Sequence, residues 1–184
     1  MGKLLSEAQV AFYRAQAYLF PIDALGAEEA ARARAALEAH EARFGGELPK
    51  ELRHKPHLTM RWADELIHHP RILDAVEDVI GPNILCWESV IFAKGPKTRD
   101  YIAWHQDITY WGLGSDDVVT AWVALSPSTV ESGCMRVVPG THTREVVPHR
   151  DTYAKENLLS RGQEIAVEVG EEQAVDIVLR PGQM

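Results

Sequence analysis

Cysteine is scarce: Cys86 and Cys134 are the only two in 184 residues. That is too few for a disulfide framework and fits a reducing cytoplasm, the expected location. Long apolar runs are also missing. Stretches such as Ile84-Leu85-Cys86-Trp87 and Val118-Val119 are far too short to cross a bilayer, so no membrane partner is expected. No basic start leads into an apolar block and a small-residue cleavage site, so no secretory signal is expected. Positive charge is in the minority: 19 Lys and Arg against 27 Asp and Glu give a net charge of −8, which disfavours a nucleic-acid surface. No internal repeat or low-complexity tract breaks the chain. Apolar residues at 46% and charged residues at 25% are ordinary for a folded domain and argue against disorder. The length suits one domain.

The chain divides into two textures. Residues 1–80 read as helical. Ser6-Glu7-Ala8-Gln9 has the form of a capping box, and Val10, Tyr13, Ala17 and Phe20 follow at helical spacing until Pro21. Residues 27–44 are rich in alanine, glutamate and arginine, with Gly45-Gly46 as an exit. A third helical stretch covers 64–80, which Pro70 must break or restart. From residue 81 onward, β-branched and aromatic runs at 84–93, 101–109, 118–125, 135–138 and 174–179 alternate with turn signals. That pattern predicts short strands in a sandwich or barrel such as a jelly roll. Residues 149–168 are polar with weak periodicity and read as a long insertion or lid. Arg180-Pro181-Gly182-Gln183 fits a type II turn that should launch a partner strand. Because the sequence stops at Met184, the chain is expected to be a fragment of a longer β-domain.

The strongest chemical signal is Trp104-His105-Gln106-Asp107. In an extended strand, residues two apart face the same way, so His105 and Asp107 could grip one ion together. An imidazole and a carboxylate are two-thirds of the facial triad of non-haem iron(II) oxygenases. The bland alternative is a polar strand edge carrying a surface ion pair. His68-His69 point in different directions on a helix, His54 and His57 lack a carboxylate or cysteine at ligand spacing, and Cys134 reads as a small buried hydrophobe.

The surrounding motifs extend the reading. Gly81-Pro82-Asn83-Ile84, His105-Gln106-Asp107, Thr120-Ala121-Trp122 and the run from Glu131-Ser132-Gly133-Cys134 to Pro139-Gly140-Thr141-His142 resemble the phytanoyl-CoA dioxygenase family in order and spacing. Lys55-Pro56-His57 fits its preceding region more loosely. The resemblance covers about residues 50 to 184, and the first fifty look like the family's helical lead-in.

The resemblance implies an α+β, mainly β fold. A double-stranded β-helix (jelly-roll or cupin-like) core over 81–184, apparently cut before its last strands, would follow the N-terminal helices in one oxygenase domain. It implies an enzyme dependent on Fe(II), with 2-oxoglutarate and O2 as cosubstrates. Such an enzyme hydroxylates a small-molecule substrate at an unactivated carbon while 2-oxoglutarate is decarboxylated to succinate. His105 and Asp107 match the two proximal iron ligands. Trp122 matches the tryptophan beside 2-oxoglutarate, Lys55 the lysine that reaches a cosubstrate carboxylate, and Val90 an apolar contact to the cosubstrate. A core tryptophan and a solvated lysine are the plain alternatives for Trp122 and Lys55. The aromatics Trp104, Tyr110 and Trp111 could wall the substrate side or pack in the core.

The family's third ligand, a late histidine, and the arginine that pairs with 2-oxoglutarate would lie beyond Met184. His142 occupies the Pro-Gly-[Ser/Thr]-His position, which is not the distal ligand, and His149 reads as a polar-loop residue. Related halogenases replace the proximal carboxylate by a small residue, so Asp107 implies hydroxylation. The alternative function is a non-catalytic β-barrel binding module, or an inactive fragment lacking the third iron ligand.

Overall fold

The computed structural model describes residues 2–115, 117–143 and 145–184. Helix α1 (Glu7–Gln16) starts on the expected capping box. Ser6 Oγ accepts the Gln9 N–H at 3.3 Å, and Gln9 Oε1 accepts the Ser6 N–H at 2.9 Å. Helix α2 (Ala27–Ala42) begins where Glu29 accepts the Gly26 N–H at 2.7 Å. It buries Ala30, Ala33 and Leu37, spaced three and four apart on one face. A single turn, α3 (Lys50–Arg53), follows. The expected stretch over 64–80 is two helices, α4 (Arg61–Ile67) and α5 (Pro70–Ile80). Pro70 takes the first position of α5, where its missing N–H has no intrahelical acceptor to lose. Among the described residues, no helix is long and apolar enough to cross a membrane.

Beyond residue 81 the regular elements are short. A helical turn α6 (Ile108–Trp111) precedes four strands, β1 (Arg136–Val137), β2 (His149–Asp151), β3 (Gln163–Ile165) and β4 (Val175–Asp176). They form two antiparallel pairs, β1 with β4 and β2 with β3. The strands expected at 135–138 and 174–179 are therefore present as β1 and β4. Residues 84–93 and 118–125 run without a ladder, apart from one bridge between Val90 and His54. A β-branched run reports a fit to a pleated surface, whereas a strand exists only where a partner meets its N–H and C=O groups. The polar stretch 149–168, expected as a long insertion or lid, has regular structure of its own. It contains the β2–β3 hairpin, which grips the chain just before His105: Tyr101 N–H donates to Glu156 O, Leu158 N–H to Tyr101 O, and Ile165 N–H to Trp104 O, at 2.9, 2.9 and 2.8 Å.

The expected turn at 180–183 closes with Gln183 N–H on Arg180 O at 3.0 Å. The turn and Met184 after it pair with the segment between α1 and α2. Ile22 and Met184 exchange N–H···O bonds at 2.9 and 3.0 Å, and Gly182 O accepts from both Ala24 and Leu25. Met184 thereby joins Leu5, Leu25 and Ile72 in one buried cluster. A second cluster, Ala124, Ile177 and Leu179, gathers Trp122 and Phe20 around it.

Two anchors tie the N-terminal helices down. The first is the Pro139-Gly140-Thr141-His142 turn, which caps the C-terminal end of α1. Tyr13 O takes the Ala17 N–H, Arg14 O lies 3.0 Å from His142 Nε2, and Gln16 O takes the Gly140 N–H at 3.0 Å. Three of the four carbonyls that a helix end leaves open are thus answered. Replacing His142 with alanine strips one of them and should cost about 1 kcal/mol of unfolding free energy in urea titration.

The second anchor is Asp78 on α5, whose carboxylate accepts the N–H groups of Lys3, Leu4 and Leu5 at 2.6, 2.8 and 2.7 Å. Burial opposes the charge, but the three donors outweigh it and hold the acid below its ordinary value. A lowered carboxylate stabilises the fold above the unfolded-state pKa and loses that contribution as pH falls through the lower folded-state value. Asp78→Asn is therefore expected to cost about 2 kcal/mol at pH 7. The gap from wild type should close in acid, as read by urea unfolding across pH.

Candidate functional site

His105 and Asp107 meet, but not by strand alternation. The backbone at Asp107 is right-handed helical, φ −54° and ψ −46°, and opens α6, which Gly112 ends in the left-handed region. The turn folds the carboxylate back toward the ring instead of placing both side chains along a pleat. Gly112, one of the turn signals after 101–109, is a C-terminal helix stop four residues after Ile108.

His105 Nε2 lies 3.0 Å from Asp107 Oδ1, and His105 Nδ1 lies 2.8 Å from the Ala103 carbonyl. The second carboxylate oxygen of Asp107 accepts from Thr120 Oγ1 at 3.4 Å. The imidazole is 25% exposed and the carboxylate 44%, so the ring is half-buried and the carboxylate open to solvent. A carbonyl only accepts, so Nδ1 carries a hydrogen and Nε2 is the nitrogen offered to Asp107. Burial disfavours the imidazolium, but the bonds to Asp107 and to Ala103 O outweigh it and raise the His105 pKa.

The donor set fits a divalent ion. With metal–ligand bonds of about 2.1 Å, adjacent octahedral positions lie roughly 3.0 Å apart, the separation observed between Nε2 and Oδ1. A cation held there would take the place of the proton that the ring shares with the carboxylate. Among the described residues, no group of three or more His, Cys, Asp and Glu gathers around one point, so this pair would offer an ion two protein donors.

The other three expected residues fall into two places. Lys55, in the left-handed region at φ 50°, donates its N–H to Ser89 O at 2.8 Å, and the neighbouring His54 bridges Val90. Lys55 and Val90 are thereby brought together. The Lys55 ammonium stands 5.2 Å from the centre of the Trp87 ring, an aromatic face that attracts a cation. Trp122 packs against Ala124, Ile177 and Leu179, two residues beyond the hydroxyl that bonds Asp107. Among the described residues, no hydrogen bond or ion pair ties Lys55 or Val90 to His105 or Asp107. Trp104 lines an open groove of about 440 Å³ with Tyr101, Ile102, Ile165 and Val167, and the Arg136 guanidinium lies 5.6 Å from the centre of its ring. Trp111 is half-buried in α6, while the Tyr110 side chain lies outside the described residues.

Two neighbours of the pair escaped the sequence reading. His149 is a strand residue, the first of β2, and its Nε2 accepts the Gln106 N–H at 2.9 Å. Gln106 Oε1 in turn accepts the Val147 N–H at 2.9 Å. The partners are 43 and 41 positions apart, and nothing in their spacing announces the contact.

The model of the phytanoyl-CoA dioxygenase (PhyH) family matches residues 2–184. A probable alpha-ketoglutarate-dependent hypophosphite dioxygenase of Stutzerimonas stutzeri is 32% identical over 108 residues, 58% of this chain and 37% of that protein. The peroxisomal phytanoyl-CoA dioxygenase of Homo sapiens is 37% identical over 84 residues, 44% of this chain and 25% of that protein. Among solved structures, the apo form of the non-heme monooxygenase ThoJ has a TM-score of 0.77 at 34% identity, covering 95% of this chain and 65% of that one. CytC3 with Fe(II) and alpha-ketoglutarate has a TM-score of 0.64 at 24% identity, covering 100% and 67%, a likeness of fold alone. The matched region thus spans about a quarter to a third of these two curated relatives, and the chain spans about two thirds of the solved ones.

Proposed function

The chain belongs to the phytanoyl-CoA dioxygenase family, and on that premise we propose that it acts as an iron(II)- and 2-oxoglutarate-dependent dioxygenase that hydroxylates a small organic molecule. The observation that carries the reading is the 3.0 Å approach of His105 Nε2 to Asp107 Oδ1, which suits adjacent positions on one ion. The dependence on alpha-ketoglutarate in the name of the Stutzerimonas stutzeri relative supports the cosubstrate. Iron(II) bound there supplies the oxygen activation that couples decarboxylation of 2-oxoglutarate to hydroxylation at an unactivated carbon.

The chain's own residues hold and orient. His105 presents Nε2 because Ala103 O fixes the proton on Nδ1, the usual way a ligating imidazole is aimed. The Thr120 hydroxyl holds the far oxygen of Asp107, leaving Oδ1 for the ion. Lys55 is assigned to a cosubstrate carboxylate and Val90 to its apolar flank. Trp122 is assigned to the cosubstrate wall, where its packing in the Ala124 cluster gives it a rigid backing. The double-stranded β-helix is the framework proposed for these assignments, with the cytoplasm as compartment.

One observation favours a second reading: two protein ligands rather than three are gathered among the described residues, as a binding module without turnover would show. One experiment separates the two. The protein is given iron(II) and 2-oxoglutarate without oxygen and its visible spectrum recorded; air and ascorbate are then admitted and succinate measured. An iron-dependent band followed by succinate is expected. Neither signal, at millimolar cosubstrate, overturns turnover by this chain and leaves the binding module or an inactive fragment lacking the third iron ligand.

A further inference from the structure

Gln106, the residue between the two ligands, is held by its main chain and its side chain at once. Its N–H donates to His149 Nε2 at 2.9 Å, and its Oε1 accepts the Val147 N–H at 2.9 Å. His149 Nδ1 lies 2.7 Å from the Val147 carbonyl. Since that carbonyl only accepts, Nδ1 carries the hydrogen and Nε2 keeps its lone pair for Gln106. A single tautomer satisfies both bonds. The ring is fixed in turn by the hairpin, where His149 stands opposite Ile165, and Ile165 N–H donates to Trp104 O at 2.8 Å. Two consecutive peptides, on either side of His105, are therefore pinned to the same hairpin.

We propose that Gln106 and His149 are positioning residues that hold His105 and Asp107 at ligand separation, an inference that rests on the metal-binding reading above. A peptide N–H fixed at Gln106 sets the planes of the peptides beside it, and with them the directions in which the His105 and Asp107 side chains leave the backbone. Neither Gln106 nor His149 touches the ion. Freed from His149, residues 105–107 sample other rotations, and ordering the two ligands falls to the metal itself. Outer groups of this kind are commonly worth 10- to 100-fold in metal affinity.

The test titrates Mn(II) into the metal-free full chain and follows loss of the free-ion signal by electron paramagnetic resonance, with thermal unfolding measured in parallel. His149→Leu keeps the bulk and removes the acceptor. His149→Gln returns a side-chain carbonyl near the position of Nε2. The expected results are an affinity about tenfold lower for His149→Leu and recovery to within about threefold of wild type for His149→Gln. The two variants should melt within about 4 °C of each other.

His105→Ala is the reference. If it abolishes binding while His149→Leu binds like wild type, the positioning role is overturned and the metal site stands. Equal losses in the Leu and Gln variants also overturn it, since hairpin stability then suffices as the cause. If wild type takes up no Mn(II), or His105→Ala binds as well as wild type, the metal reading fails and takes the positioning role with it.

Discussion

Replacing His105 with alanine is expected to remove metal binding and any succinate formation while leaving the fold nearly intact. The two effects separate the chemistry from the bland alternative of a surface ion pair. As an ion pair, a ring 25% exposed beside a carboxylate 44% exposed contributes only about 0–1 kcal/mol after solvent screening. The melting temperature should therefore move by no more than about 4 °C. As a ligand, the same ring is one of the few groups that replace water on the ion. Its loss should lower affinity by more than the 10- to 100-fold typical of outer groups, beyond about a hundredfold. Asp107→Asn sharpens the comparison, because the amide keeps an oxygen near the same place but gives up the charge. It should retain more affinity than His105→Ala and still bind far below wild type. Calorimetry with Mn(II) and a thermal melt on each variant suffice. A variant with unchanged affinity and a large fall in stability would assign the pair to structure and not to metal.

Gly182→Ala should cost about 3 kcal/mol. Two separate penalties meet there. At φ +87° an L side chain is strained, which alone costs of order 1–3 kcal/mol. The added carbon would also stand 2.7 Å from the Leu25 carbonyl oxygen and 3.4 Å from the Ala30 side chain. That carbonyl is backbone and does not swing aside. Any shift of Gly182 disturbs its own oxygen, which accepts from both Ala24 and Leu25. Gly45→Ala isolates the first penalty, since φ is +85° there and nothing stands within 4 Å of the added carbon. It should cost about 1 kcal/mol. Urea unfolding of both variants gives the difference. Equal costs would show that the close approach at Leu25 relaxes without penalty.

These contrasts show which signals sequence carries well. The capping box at Ser6, the glycine pair after α2 and the restart at Pro70 act within a turn or two, so their outcome depends on neighbours already visible in the chain. The pairing of His105 with Asp107 was legible in outcome and misread in cause. A period-two argument needs an extended backbone, and Gly112 had already marked the segment as helical at its far end. The strands expected at 84–93 and 118–125 failed as ladders because apolar alternation names a face and not a partner. His142 is a sharper case. Its motif stands out in the sequence, but its work is to meet a carbonyl 128 residues away, which local pattern does not encode. For the same reason the clasp between Gln106 and His149 was invisible until the hairpin brought them together.

The closing contact between residues 22–25 and 182–184 bears on how the protein is made. Asp23 and Gln183 are bonded across 160 residues, so the helical half leaves the ribosome long before the segment that seals it has been translated. At about 5–20 residues per second, the wait is roughly ten to thirty seconds. Throughout it, Leu25 and its apolar neighbours Leu19 and Ile22 have no Met184 to cover them. Such a chain is expected to aggregate through those apolar residues, so slowing initiation, which lets fewer such chains coexist, should raise the soluble yield.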